Sequence, residues 1–125
     1  MTTGNGIDVM DTQWVKVCEY ADLLLNAGVG VRLGDAQVAL FLLPPSPTDT
    51  EERLFAVDNH DPFSNANVIA RGIVGDVAGE PVVASPLYKQ HFRLSDGSCV
   101  EDASVVLRCW EVRRTGEAIE ITDLG

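Results

Sequence analysis

A chain of 125 residues with 46% hydrophobic content has room for one packed core and too little length for a second domain. Its formal net charge of −10 argues against nucleic acid and anionic membrane as partners, since both select basic surfaces, and favours a protein partner with a basic face. The longest apolar run, Val38 to Leu43, is far too short to span a bilayer.

Residues 1–12 are polar and glycine-containing and are expected to form a flexible N-terminal arm, with one domain over 13–125. The opening Met1-Thr2-Thr3-Gly4-Asn5-Gly6 lacks a basic n-region and an apolar h-region, so no signal peptide is expected. Trp14-Val15-Lys16-Val17 alternates like a first strand, and Glu19 to Leu25 has room for a single helical turn. Val29 to Leu33 and Gln37 to Leu43 are β-rich runs joined by Gly34-Asp35-Ala36, which predicts a hairpin. The acidic, proline-rich stretch Pro44 to Glu52 lacks ladder donors at three positions and predicts a surface loop.

Arg53 to Val57 reads as a strand feeding the loop Asn59-His60-Asp61-Pro62-Phe63. Ile69 to Val77 and Pro81 to Ala84 flank the turn Ala78-Gly79-Glu80 and feed a second loop, Ser85-Pro86-Leu87-Tyr88-Lys89-Gln90. His91 to Leu94 and Ser98 to Val100 predict a hairpin around Asp96-Gly97. Val105 to Arg113 alternates in its second half, as does Ala118 to Thr122. Short strands at this spacing, with no internal repeat, indicate an all-β antiparallel sandwich or barrel.

The two proline-stiffened loops, each at the end of an apolar run, are the natural place for a site. Their layout resembles a Rieske iron-sulfur domain, in which one strand ends in Cys-Pro-His, a second in Cys-Pro-x-His-Gly, and a strand of the type F-x-L-x-x-G-x-C follows. That last pattern stands here as Phe92-Arg93-Leu94-Ser95-Asp96-Gly97-Ser98-Cys99. A Rieske centre needs two cysteine thiolates and two imidazoles, and the matching positions hold Asp61, Phe63, Ser85 and Tyr88, none of which supplies those donors. The resemblance therefore implies a Rieske-like frame with two loop tips at the former cluster site and no cofactor on this chain.

The surrounding phrases narrow the resemblance. Phe55-Ala56-Val57, Ala70-Arg71-Gly72, Val83-Ala84-Ser85-Pro86-Leu87 and His91-Phe92-Arg93-Leu94-Ser95-Asp96-Gly97 look like the small subunit of NAD(P)H-dependent assimilatory nitrite reductase, over about Trp14 to Ile121. That family implies a non-catalytic subunit of a cytoplasmic enzyme reducing nitrite to ammonium in nitrate assimilation. FAD, siroheme and iron-sulfur centres would sit on the large catalytic subunit, which would be the partner, and this chain would support assembly or positioning. Docking is expected at the loop tips, residues 60–67 and 85–91, through His60, Phe63, Leu87, Tyr88 and Lys89. The alternative for Phe63 and Tyr88 is that both rings fill the vacated cluster space. Loss of a cluster should be offset by a clamp, with Asp61 or its neighbours bonded across to Ser85 or Tyr88.

Other constellations carry less. His60 and His91 with Asp58 or Asp61 contain the residue types of a two-histidine, one-carboxylate iron site, but His91 falls inside a strand and loop histidines beside aspartates more often form turns. Ser85 lacks a G-x-S-x-G surround, and Gly28-Val29-Gly30 leads into a strand where a dinucleotide fingerprint would open a helix. Cys18, Cys99 and Cys109 have neither metal-knuckle spacing nor an even count and read as reduced thiols, the last two as small buried hydrophobes. Lys89, Arg93, Arg108, Arg113 and Arg114 read as scattered solvated charges. The rival functions are a Rieske-type ferredoxin electron carrier, which the four missing donors oppose, and a free-standing protein-binding module.

Overall fold

The computed structural model describes residues 13–122. The arm expected over residues 1–12, and residues 123–125, lie outside the described residues. In chain order the strands are β1 Trp14–Glu19, β2 Ala27–Leu33, β3 Ala36–Leu43, β4 Arg53–Asp58, β5 His60–Asp61, β6 Ala66–Asn67, β7 Ile73–Val77, β8 Glu80–Ala84, β9 His91–Arg93, β10 Cys109–Trp110, β11 Val112–Thr115 and β12 Ala118–Thr122. They form a four-stranded sheet β10-β4-β3-β2, three-stranded sheets β9-β8-β7 and β11-β12-β1, and the two-stranded ribbon β5-β6, with every strand-to-strand pairing antiparallel.

Why Val38 to Leu43 is apolar without interruption is explained by its place in the middle. Successive side chains of a strand point to opposite faces. Ala39, Phe41 and Leu43 of β3 join Val57, Ile69, Val83, Phe92 and Leu94 in one buried cluster. Val38, Leu40 and Leu42 join Ala56, Trp110, Ile119 and Ile121 in the other. β3 is thus covered on both faces, by the β9-β8-β7 sheet on one side and the β11-β12-β1 sheet on the other, and a strand buried on both faces has no polar face to show. Full burial of Phe41 alone contributes about 1.5–3 kcal/mol.

The predicted elements hold with local differences. The helical turn after β1 is a 3-10 helix, Tyr20–Asp22, whose entry is closed by the Glu19 N–H donating to Asp22 Oδ2 at 2.9 Å. The run from Ile69 is not one strand: Ile69–Arg71 is a 3-10 helix and the strand begins at Ile73. Gly72 stands between them because a Cβ there would meet the Ala84 carbonyl oxygen at 2.4 Å. The second arm of the hairpin expected over Ser98 to Val100 is reduced to isolated bridges, Phe92 to Cys99 and Ser98 to Val106. Residues 105–108 form no ladder; their hydrogen bonds go in turn to Asp102, Cys99, Gly97 and Asp58. Among the described residues no helix is long and apolar enough to cross a membrane.

Candidate functional site

The first loop begins where β4 runs out at Asp58. Asn59 is buried and its side chain ties the loop to the ribbon and helix beyond it: Oδ1 accepts the Ala70 N–H at 2.7 Å, and Nδ2 donates to the Asn67 carbonyl at 3.4 Å. Its backbone donates to Gln37 and accepts from Ile69, so the loop is pinned to β3 and to the second 3-10 helix. The β5-β6 ribbon then turns through Pro62 to Asn65, closed by the Asn65 N–H donating to the Asp61 carbonyl at 2.7 Å. Asn65 takes φ 59°, a left-handed conformation asparagine tolerates better than most residues.

The second loop leaves β8 at Ala84. The Ser85 N–H donates to the Gln90 carbonyl at 2.9 Å and the Lys89 N–H to the Ser85 carbonyl at 3.0 Å, so the excursion Pro86 to Lys89 projects from a closed base. Lys89 has φ 65°, uncommon for a residue with a Cβ. At the loop's exit the Glu101 carboxylate accepts both the His91 N–H at 2.8 Å and the His91 Nδ1–H at 2.7 Å. Burial pushes the Glu101 carboxyl up, but the His91 N–H and imidazole outweigh it and hold the group below its ordinary value.

The two tips are joined at their bases. Ser85 Oγ donates to Asp61 Oδ2 at 2.5 Å, while Asp61 Oδ1 accepts the Phe63 N–H at 2.9 Å. Asp61 is 0% and Ser85 1% exposed. A buried carboxyl group is tolerated only when its oxygens are hydrogen-bonded, and here both are. The cross-loop clamp expected from the sequence is this bond, made by Asp61 and Ser85 and not by Tyr88.

The ring-bearing positions part company. Phe63 is half-buried, packed on the cluster that holds Phe41 and Phe92, with its ring centroid 6.1 Å from that of Phe92. Leu87 and Tyr88 point outward, 53% and 60% exposed, with Lys89 exposed beside them. His60 is partly buried and its Nδ1 pairs with Asn67 Oδ1 at 3.2 Å. The two histidines are therefore engaged separately, His60 with Asn67 and His91 with Glu101. Among the described residues no group of three or more His, Cys, Asp or Glu is placed to hold a metal ion.

Asn59 and Glu101 were not singled out by sequence reasoning, and each organises one loop. Asn59 had a usable signal, an amide directly after an apolar strand and before the turn. Glu101 had none, because its partnership with His91 spans ten residues. Two further polar atoms at the tips, Ser64 Oγ and Gln90 Oε1, are buried with no hydrogen-bond partner. The basic residues are spread over several partners: Arg93 reaches Glu80, Arg113 lies over Trp14 and pairs with Glu120, and Arg114 lies over Tyr20 and pairs with Glu117.

Residues 13–122 match the family described as Rieske-like [2Fe-2S] domain. The chain is 44% identical over 102 residues to the nitrite reductase (NADH) small subunit of Escherichia coli strain K12, covering 82% of this chain and 90% of that protein. It is also 41% identical over 100 residues to the nitrite reductase [NAD(P)H] large subunit of Klebsiella oxytoca, covering 80% of this chain and spanning only 10% of that protein's length. Among solved structures, the putative NADH-dependent nitrite reductase small subunit from Mycobacterium tuberculosis superposes with a TM-score of 0.79 at 40% identity, covering 92% of this chain and 98% of that one. The family's cluster does not fit the residues present. The four positions that the sequence pattern sets against its ligands, Asp61, Phe63, Ser85 and Tyr88, hold a carboxyl group and a hydroxyl bonded to each other, a half-buried phenyl ring packed on the core cluster and an exposed phenol.

Proposed function

The chain belongs to the Rieske-like [2Fe-2S] domain family, and from that premise we propose that it is the small, non-catalytic subunit of a cytoplasmic NAD(P)H-dependent nitrite reductase. Relatives of nearly its own length carry the name nitrite reductase (NADH) small subunit, and the chain covers 90% of the Escherichia coli protein. In this reading nitrite is reduced to ammonium on the large subunit, where FAD, siroheme and iron-sulfur centres would reside. The present chain supports assembly or positions a domain of that partner.

One observation supports the non-catalytic part of the reading above all others: a hydrogen bond joins Asp61 and Ser85, the two positions that the sequence resemblance sets against the cluster thiolates. A hydrogen bond there can hold the tips together but cannot carry an electron. The same donor set opposes the ferredoxin alternative.

Docking is assigned to the loop tips, through Leu87, Tyr88 and Lys89 with His60 alongside. Phe63 takes the supporting role, since its ring packs inward beneath the tip. Exposed aromatic and apolar side chains on a rigid base are the type that dominates interface energetics. The test is co-purification of the tagged chain from its native host, wild type beside Leu87→Ser/Tyr88→Ala. Recovery of the large nitrite reductase subunit with the wild type, reduced about tenfold or more with the double variant, is the expected result. Absence of that subunit from the wild-type preparation would leave the binding-module alternative in its place.

A further inference from the structure

The chain carries 9 lysines and arginines against 19 aspartates and glutamates, and most of these cations answer a neighbour. Lys16, Arg93, Arg113 and Arg114 pair with carboxylates, Arg53 donates to the Pro44 carbonyl and Arg108 lies over the Trp110 ring. The side chains of the remaining cations, Arg32, Arg71 and Lys89, are exposed and have no partner among the described residues. Arg32 stands on β2, close in sequence to the exposed Asp35 of the hairpin turn. Arg71 and Lys89 come together at the second loop.

Gly72, directly after Arg71, lies so close to β8 that a Cβ on it would be 2.4 Å from the Ala84 carbonyl oxygen. The next residue of that strand end, Ser85, accepts the Lys89 N–H at 3.0 Å. The backbones that carry the two cations are therefore anchored at neighbouring residues. Ile73, the register partner of Ala84, is 72% exposed, and Leu87 and Tyr88 face solvent beside Lys89. The carboxylates of this end are already engaged: Asp58 accepts the His60 N–H, Asp61 is bonded to Ser85, and Glu101 holds His91. Two cations without a carboxylate of their own thus border an exposed apolar patch, and charges so placed fix register and exclude wrong partners.

We propose that the second tip docks an acidic face of the large nitrite reductase subunit, with Arg71 and Lys89 as the residues that select it and Ile73 widening the apolar contact. The inference rests on the docking assignment above and adds the chemistry of the partner surface. The net charge of −10 taken alone points to a basic partner, but it is a property of the whole surface. Exposed charges farther away than about 8 Å are largely screened at physiological ionic strength, so the two local cations decide what meets the tip.

The test titrates the purified full-length chain against the large nitrite reductase subunit of its own host, at low and at high salt. Wild type is compared with Arg71→Glu, Lys89→Glu, Tyr88→Ala and Lys16→Glu, with thermal unfolding as the check on folding. Lys16→Glu makes the same change in net charge on the β11-β12-β1 sheet. Arg71→Glu and Lys89→Glu are each expected to raise Kd about tenfold or more at low salt and by less at high salt, while Lys16→Glu stays within about twofold. Should a reversed chain not fold, Arg71→Gln or Lys89→Gln replaces it, with an expected rise of about threefold. Folded Arg71→Glu and Lys89→Glu chains that bind within about twofold of wild type, or more tightly, overturn the acidic face. If Tyr88→Ala still weakens binding in that case, the docking assignment survives. Equal weakening by Lys16→Glu would make the effect one of net charge and overturn the local assignment. A wild type that does not bind overturns both readings. A wild type that self-associates, with Lys89→Glu monomeric and its affinity for the large subunit unchanged, would give the patch to a second copy of this chain and overturn the proposal.

Discussion

Ser85 and Asp61, 24 residues apart in sequence and both buried, are joined side chain to side chain across the bases of the two loops. The bond ties β5 to the end of β8. Removing one partner leaves the other buried and short of a hydrogen bond, which costs about 1–3 kcal/mol. Asp61→Ala should cost more than Ser85→Ala, because it strands both the Ser85 hydroxyl and the Phe63 N–H. Urea unfolding of the two variants measures this. Losses below about 0.5 kcal/mol in both would mean that the loops are held by their own backbone closures and that the clamp is incidental.

Two glycines with left-handed φ separate conformational strain from collision. Gly97 has φ 79° and Gly116 φ 63°. A Cβ on Gly116 meets nothing within 4 Å, whereas one on Gly97 would lie 2.1 Å from the Leu107 carbonyl oxygen. Gly116→Ala is expected to cost about 1–2 kcal/mol, the usual penalty of a left-handed residue with a Cβ. Gly97→Ala must also push the 105–108 segment away from the turn, and its midpoint of thermal unfolding should fall well below that of Gly116→Ala. Equal midpoints would show that the Gly97 turn relaxes freely.

How much of this was legible in advance differs from element to element. The hairpin Ala27 to Leu43 and the alternating final strand could be read because period and turn chemistry are local properties. That Val38 to Leu43 lies between two cores could not, since an apolar run looks the same whether one neighbouring sheet or two will cover it. Residues 105–108 carry strand-forming side chains but bond to four different partners, and the close approach of Gly97 to Leu107 is a tertiary fact. At the tips, Phe63 and Tyr88 occupy matching places in their loops, yet one ring enters the core and the other faces solvent. The first loop is drawn in by Asp61 accepting the Phe63 N–H, while the second is closed at Ser85 and Gln90 and leaves its middle outside.

Acid should weaken the second loop through Glu101. Burial alone would raise its pKa, but the His91 N–H and imidazole lower it overall. A carboxyl group whose folded pKa lies below its unfolded value of about 4.3 contributes stability above that value and loses it as pH falls through the folded pKa. Glu120, lowered chiefly by Arg113, and Asp96, lowered chiefly by the Ser98 hydroxyl, act in the same direction. Urea midpoints measured from pH 7 down to about pH 3 should therefore fall through the lower half of that range. Glu101→Gln should start lower at neutral pH and fall less steeply. Parallel pH profiles for variant and wild type would show that the His91–Glu101 pair has no part in the acid response.

The sharpest expectation concerns the cofactor that the family's description would suggest. Two thiolates and two imidazoles must converge within bonding distance of two irons. Of the four positions that the sequence pattern sets against those ligands, Ser85 and Asp61 are bonded to each other, the Phe63 ring packs on the core cluster and Tyr88 is exposed to solvent. The cysteines do not substitute. Cys18 lies on β1, and Cys99 and Cys109 lie beyond the second loop, with thiols that burial pushes up and away from the thiolate form a cluster requires. Incubated anaerobically with ferrous iron and sulfide and then desalted, the folded protein should show no visible charge-transfer bands and no paramagnetic signal on reduction. Stoichiometric iron and acid-labile sulfide retained after desalting would mean that the donors come from elsewhere on the chain, and would restore the electron-carrier reading.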